Sequence, residues 1–186
     1  MTLEKLKQVL PELTDQKLLQ AILDKGQIMH LPPGKILMEP GQFIKAVPLV
    51  IEGSIKIMRM DEDGRELFLY YLEEGETCAL SLTCCSAAKP SEIKAVVEEE
   101  ATLIFIPVQL HEQWMDEFKQ WKDFVSITYQ QRFREMLIAL DAVAFKRMDE
   151  RLMRYIVTKM KQLKANELYT THQEIANELG TSREVI

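Results

Sequence analysis

All three cysteines of this 186-residue chain fall inside one eight-residue segment, Cys78-Ala-Leu-Ser-Leu-Thr-Cys84-Cys85. Thiols gathered this closely can serve as a redox sensor, as soft-metal ligands, or as small buried apolar groups, and all three roles are open. Cys84 and Cys85 are neighbours whose side chains diverge, so they do not readily pair, whereas Cys78 with either of them is compatible with the spacing. The three histidines, His30, His111 and His172, lie in separate segments with no i, i+2 or i, i+4 pair, so no histidine-based metal site is expected. No Gly-x-Ser-x-Gly or Ser/His/Asp arrangement occurs, and a catalytic role is not expected.

A second constellation lies near the C-terminal end. Thr171-His-Gln-Glu174 reads as a capping box, in which Thr171 accepts from the amide three residues on and Glu174 reaches back. The short helix it opens, Gln173–Leu179, should stop at Gly180, and a further helix should begin at Thr181 or Ser182 and carry Arg183. Two short helices around a glycine corner make a helix-turn-helix. In that arrangement Arg183 is placed to donate bidentately to guanine and Glu184 to accept from cytosine. Thr171, His172 and Ser182 are candidates for phosphate contacts, and Gln173 is a further candidate on the same surface.

These groups need a scaffold. Gly34, Gly41, Gly53, Gly64 and Gly75 recur at intervals of 7, 12, 11 and 11 residues, the turn rhythm of an all-β sandwich. Between and after them lie strand-like runs at 35–38, 47–51, 54–60, 66–72, 93–97 and 102–106. Ile55, Ile57 and either Met58 or Met60 should face a core, and Asp61–Gly64 should turn a hairpin, with Asp63-Gly64 able to take positive φ. Beyond Pro107 the pattern becomes helical, over Gln109–Asp123 and Phe124–Phe145 without Gly or Pro. In the second stretch Phe124, Ile127, Phe133, Met136, Leu137, Leu140, Val143 and Ala144 form a broad apolar face suited to a partner helix. Asp149–Leu163 is amphipathic, acidic at its start and basic at its end.

Charge sorts with this organisation. Net charge is −6, yet residues 146–186 hold eight Lys/Arg against six Asp/Glu. An acidic body with a mildly basic tail marks the tail as the place for a polyanion. Few and unpaired cysteines, an N-terminus with no signal-like apolar core and no long apolar run lead us to expect a cytoplasmic protein without membrane association.

The stretch Thr171–Val185, with its Ser182-Arg-Glu, resembles the helix-turn-helix of the Crp/Fnr transcription regulators. Pro33-Gly-Lys-Ile-Leu, Gly41, Val50-Ile-Glu-Gly-Ser-Ile-Lys-Ile, Asp63-Gly-Arg-Glu and Gly75-Glu76 resemble that family's cyclic-nucleotide-binding-like domain in order and spacing. The resemblance implies an α+β fold: a cyclic-nucleotide-binding-like sensor domain over 1–107, with one or two helices ahead of a β jelly roll over about 28–107, then linker and dimerisation helices over 108–147, and a partial winged helix-turn-helix over 148–186. It implies a homodimer that reads a palindromic operator in double-stranded DNA under control of a small effector. The sequence ends at Ile186, about one turn into the recognition helix, so we expect weak DNA binding from this form.

The resemblance also implies an effector pocket at Gly75, Glu76, Thr77, Cys78, Ala79, Leu80, Ser91 and Glu92. Here the loop lacks the family's second glutamate, and Ser91-Glu92 stands where the family places an Arg-Ser pair. A carboxylate where a phosphate needs a cation leads us to expect an effector other than cyclic AMP. No cofactor is identified. An iron–sulfur cluster is disfavoured because residues 1–77 contain no cysteine.

Overall fold

The computed structural model describes residues 1–61, 63–87, 89–145, 148–165 and 167–186. Two helices lead, α1 (Leu3–Val9) and α2 (Gln16–Lys25). Asp15 caps α2 by accepting from the amides of Lys17 at 2.8 Å and Leu18 at 3.3 Å. Then come β1 (Gln27–Leu31), β2 (Ile36–Met38), β3 (Ala46–Glu52), β4 (Ile55–Met60), β5 (Glu66–Leu72), α3 (Ala79–Ala87), β6 (Ile93–Val97) and β7 (Ala101–Pro107). The strands form two sheets, ordered β1-β7-β3 and β2-β6-β4-β5. β7 pairs antiparallel with both neighbours, Met29 facing Leu103 on one side and Val50 facing Leu103 on the other. This is the expected jelly roll.

The chain divides into two compact units, residues 1–58 with 69–132, and residues 59–68 with 133–186. Within the first, apolar residues of both sheets make one core that includes Val50, Ile55, Ile57, Leu72, Val97 and Leu103. Met58 is buried and Met60 exposed, which settles the alternative left open by alternation. A second core gathers α1, α2 and the helices that follow β7, α4 (Val108–Glu117) and the first half of α5 (Lys119–Phe145). Phe118, Trp114, Trp121 and Phe124 stack in that order there, edge-on or tilted, with successive centroids 5.4–6.4 Å apart. Gln120 ties α5 to the α2 entry, accepting from the amides of Thr14 and Asp15 at 2.8 and 2.7 Å.

One expectation needs correction here. The helical break falls at Phe118, not after Asp123, because Phe118 turns extended to plant its ring on Trp114. At the hairpin Gly64 takes positive φ (+80°), a region that Gly enters freely and a residue with a Cβ avoids.

The second unit holds the hairpin tip Arg59–Phe68, the rest of α5, α6 (Met148–Gln162) and α7 (His172–Glu178). Lys159 of α6 and Glu178 of α7 form a buried ion pair at 3.2 Å. Arg151 donates to the Leu179 carbonyl at 2.7 Å, satisfying a C-terminal acceptor that the short helix leaves open.

Candidate effector pocket and nucleic-acid interface

Gly75 begins the loop toward which the first unit converges. Its φ of +83° and the approach of the Val9 carbonyl, 2.6 Å from where a Cβ would stand, both demand glycine. Its amide donates to Val50 at 2.9 Å, and so pins the loop to β3. Glu76 then turns toward α5. It receives Arg132 at 2.6 Å and Gln131 at 3.0 Å, and also accepts from the Glu73 amide at 3.0 Å. Arg132 lies 4.3 Å over the Tyr70 ring, a cation–π contact that orients the guanidinium. Arg132, Gln131 and Tyr70 escaped the sequence reading, because nothing in their local spacing signals that α5 returns to this loop.

Thr77 is buried and donates to the Pro48 carbonyl at 2.7 Å. Cys78 and Ala79 are buried, and Leu80 is half-buried. Cys78 and Ser81 line a cavity of about 40 Å³ between the sheets, whose other walls include Leu37, Ile55, Ile57, Leu72, Ala95 and Phe105. Ser91 is buried, with its hydroxyl engaged by the Ile93 amide and carbonyl, each at 3.2 Å, while Glu92 is exposed. The structure thus runs Gly75–Cys78 as a loop into the first residues of α3, Ala79 and Leu80, but turns Ser91 inward upon Ile93.

The thiols do not assemble as the sequence allowed. Cys78 precedes α3, which carries Cys84 and Cys85, and the Leu82 amide already donates to the Cys78 carbonyl at 3.0 Å. Six residues of helix separate Cα atoms by about 9 Å, too far for a disulfide without backbone movement. Burial pushes the Cys85 thiol up to about 11 and raises Cys84 as well, so neither favours the reactive thiolate. Among the described residues no group of three His, Cys, Asp or Glu is placed to hold a metal ion.

In the second unit the capping box is complete: the Glu174 amide donates to Thr171 Oγ1 at 3.2 Å and the Thr171 amide to Glu174 Oε2 at 2.7 Å. Threonine hydroxyls and backbone beside Glu174 hold its carboxyl below the usual range. α7 ends at Glu178 in a Schellman motif, with Gly180 at φ +62° and the Thr181 amide bonded to Ala176 at 2.9 Å. Thr171, His172, Gln173, Ser182, Arg183 and Glu184 are all exposed. Arg183–Val185 form a single turn, closed by the Val185 amide on Ser182 at 3.1 Å, in place of the expected second helix. Four residues follow Ser182 in this sequence, and an α-helix needs about that many fixed before its first bond closes.

On α5, Phe133, Met136, Leu137 and Leu140 are exposed, as is Ile127. Phe124 is not: it is buried in the aromatic core and leaves the proposed partner face. The side chains of Val143 and Ala144 lie outside the described residues. Exposed Tyr129 joins instead, and Tyr129, Phe133, Met136 and Leu140, spaced 4, 3 and 4, trace a seam of coiled-coil type. No described helix is long and apolar enough to cross a membrane.

This geometry is that of a β jelly roll followed by a long helix and a helix-turn unit. Residues 28–118 match the cyclic nucleotide-binding domain family. The chain is 20% identical over 164 residues to the global nitrogen regulator of Synechococcus elongatus, covering 84% of this chain and 74% of that protein. A Crp/Fnr-family transcriptional regulator from Eubacterium rectale superposes with TM-score 0.81 at 24% identity, covering 92% and 79% of the two chains. The c-di-GMP-responsive regulator CLP of Xanthomonas campestris superposes with TM-score 0.78 at 20% identity, covering 91% and 87%. Residues 28–118 therefore carry the cyclic nucleotide-binding domain, and the chain shares the fold of Crp/Fnr-family regulators. The relatives named here are regulators rather than enzymes.

Proposed function

We propose that the protein is a dimeric DNA-binding transcription regulator whose β-domain responds to an effector other than cyclic AMP. The observation that carries the DNA reading is the elbow at Gly180: a capped helix in front, a positive-φ stop, and exposed Arg183 and Glu184 directly behind. Arg183 is the residue to read guanine and Glu184 cytosine, while Thr171, His172 and Ser182 fix the register on phosphates. The apolar seam of α5 is the surface for a second copy, and two-fold symmetry makes the operator a palindrome. The setting for such a regulator is the cytoplasm.

The effector reading rests on the pocket. The cavity beside Cys78 measures about 40 Å³, room for water-sized groups. Glu76 is already engaged by Arg132 and Gln131, and Ser91 by its own strand. The domain boundaries proposed are 1–107, 108–147 and 148–186. Selection of bound duplexes from a random library tests the DNA reading. Enrichment of a palindrome by the wild type, and its loss in Arg183→Ala, is expected; a library that emerges without any enriched site rejects the reading.

A further inference from the structure

We propose that the hairpin joining β4 to β5 is a strap that holds the helix-turn-helix elbow closed, an autoinhibitory contact that must release before DNA is engaged. This rests on the DNA reading above. The hairpin tip, Arg59–Phe68, packs in one compact unit with the helices from Phe133 onward. Its Leu67 Cδ1 lies 3.3 Å from where a Cβ would stand on Gly180, the residue at which the chain turns toward Arg183. Glycine at the elbow therefore does two things: it takes the left-handed backbone and it leaves a seat for Leu67. Leu67 remains 42% exposed, so the seat covers only part of the side chain, which suits a contact that opens more than one buried in a core.

Charge gives the contact its direction. The tip carries four acidic residues against two arginines. One of those arginines, Arg65, is spent inside the tip on Asp61 at 2.7 Å and Asp63 at 3.1 Å. Duplex DNA carries one negative charge for roughly every 1.7 Å of its axis, so a net-negative strap at the elbow opposes the phosphates that approach the same turn. A seated strap and a seated duplex exclude each other.

Two variants test this in the full chain. Leu67→Ala empties the seat without adding charge, and Asp63→Asn removes one strap charge without touching Leu67. Hydrogen exchange over residues 172–186 reports the contact. Fluorescence anisotropy with a labelled random-sequence duplex about three helical turns long, at low and high salt, reports its consequence. We expect Leu67→Ala to speed exchange over 172–186, to leave exchange over 93–107 unchanged, and to tighten duplex binding several-fold. Asp63→Asn should tighten binding at low salt only. Unchanged exchange in Leu67→Ala overturns the strap. Faster exchange with duplex binding unchanged or weakened overturns its inhibitory role, and unchanged low-salt affinity in Asp63→Asn overturns the electrostatic part. Equal duplex binding by the wild type and both variants thus defeats this inference alone. Failure of every form to bind at low salt defeats the DNA reading and the inhibition together.

Discussion

His111 shows how much one side chain can encode. It is 2% exposed, and its Nδ1 accepts from the indole N–H of Trp121 at 3.1 Å. A ring nitrogen that accepts carries no proton, so the buried imidazole is neutral and its proton sits on Nε2. Burial holds its pKa below the ordinary 6.5, with Glu112 nearby opposing the shift. The unfolded chain therefore takes up a proton first as pH falls, and stability declines from about the unfolded value downward until the folded histidine also titrates. Urea unfolding at pH 7.5 and 5.5 should show this loss, and His111→Asn, which keeps an acceptor without the titration, should reduce it. A pH dependence identical in the variant removes His111 from the account. Lys164 makes a second case. It occupies the left-handed C′ position of α6 at φ +49°, with the Ala165 amide bonded to Met160 at 3.1 Å. An L side chain there costs about 1–2 kcal/mol. Lys164→Gly should stabilise the chain by roughly 1 kcal/mol in the same assay.

At the scale of elements, what could be read from the sequence was whatever depends on neighbours along the chain. Thr171 and Glu174, three apart, announced their capping box, and Gly180 its helix stop. β5 and β6 follow their apolar runs from end to end. What depends on distant segments was hidden. Phe124 has the spacing of an outward-facing residue, yet α1 and α2 bring a core to it. Arg132 and Glu76 are 56 positions apart, so no local pattern pairs them. The Cys78–Cys84 pairing looked open until the helix between them fixed their separation. Lys159 has the sequence context of a solvated helix end, but it is buried against Glu178. Removing one partner of such a pair costs about 3–5 kcal/mol, while replacing both by apolar groups is often neutral. Lys159→Met should therefore destabilise strongly, and Lys159→Met with Glu178→Leu should recover most of the loss in denaturant titration. Equal loss in the single and double variants excludes a stranded charge as the cause. If α5 pairs with its twin as proposed, Leu140→Lys should shift sedimentation from dimer to monomer, since a charge at a seam position would face its own image across a two-fold axis.

The whole molecule turns on what the β-domain admits. The cavity described between its sheets is small and walled mainly by apolar side chains. Ile55, Ile57 and Leu72 enter from the β4–β5 side, Phe105 from β7, and Cys78 closes the wall from the loop. Three polar groups of the neighbouring loops are already engaged: Thr77 with Pro48, Ser91 with Ile93, and Glu76 with Arg132. A cyclic phosphate entering would displace several side chains, and its charge would find Glu76 and Glu92 in the loops around it. Thermal unfolding gives a direct measure. A ligand present at about a hundred times its Kd adds about 2.7 kcal/mol to the folded state. For a chain of this length that moves Tm by roughly 5–10 °C. Cyclic AMP at millimolar concentration should leave Tm where it was, whereas a shift of that size would mean the cavity opens readily and the filled roll is only one of its states. Glu76→Gln refines the result. It keeps an amide to meet Arg132 but removes the carboxylate, so a shift appearing in this variant alone would identify Glu76 as the residue that turns cyclic phosphates away.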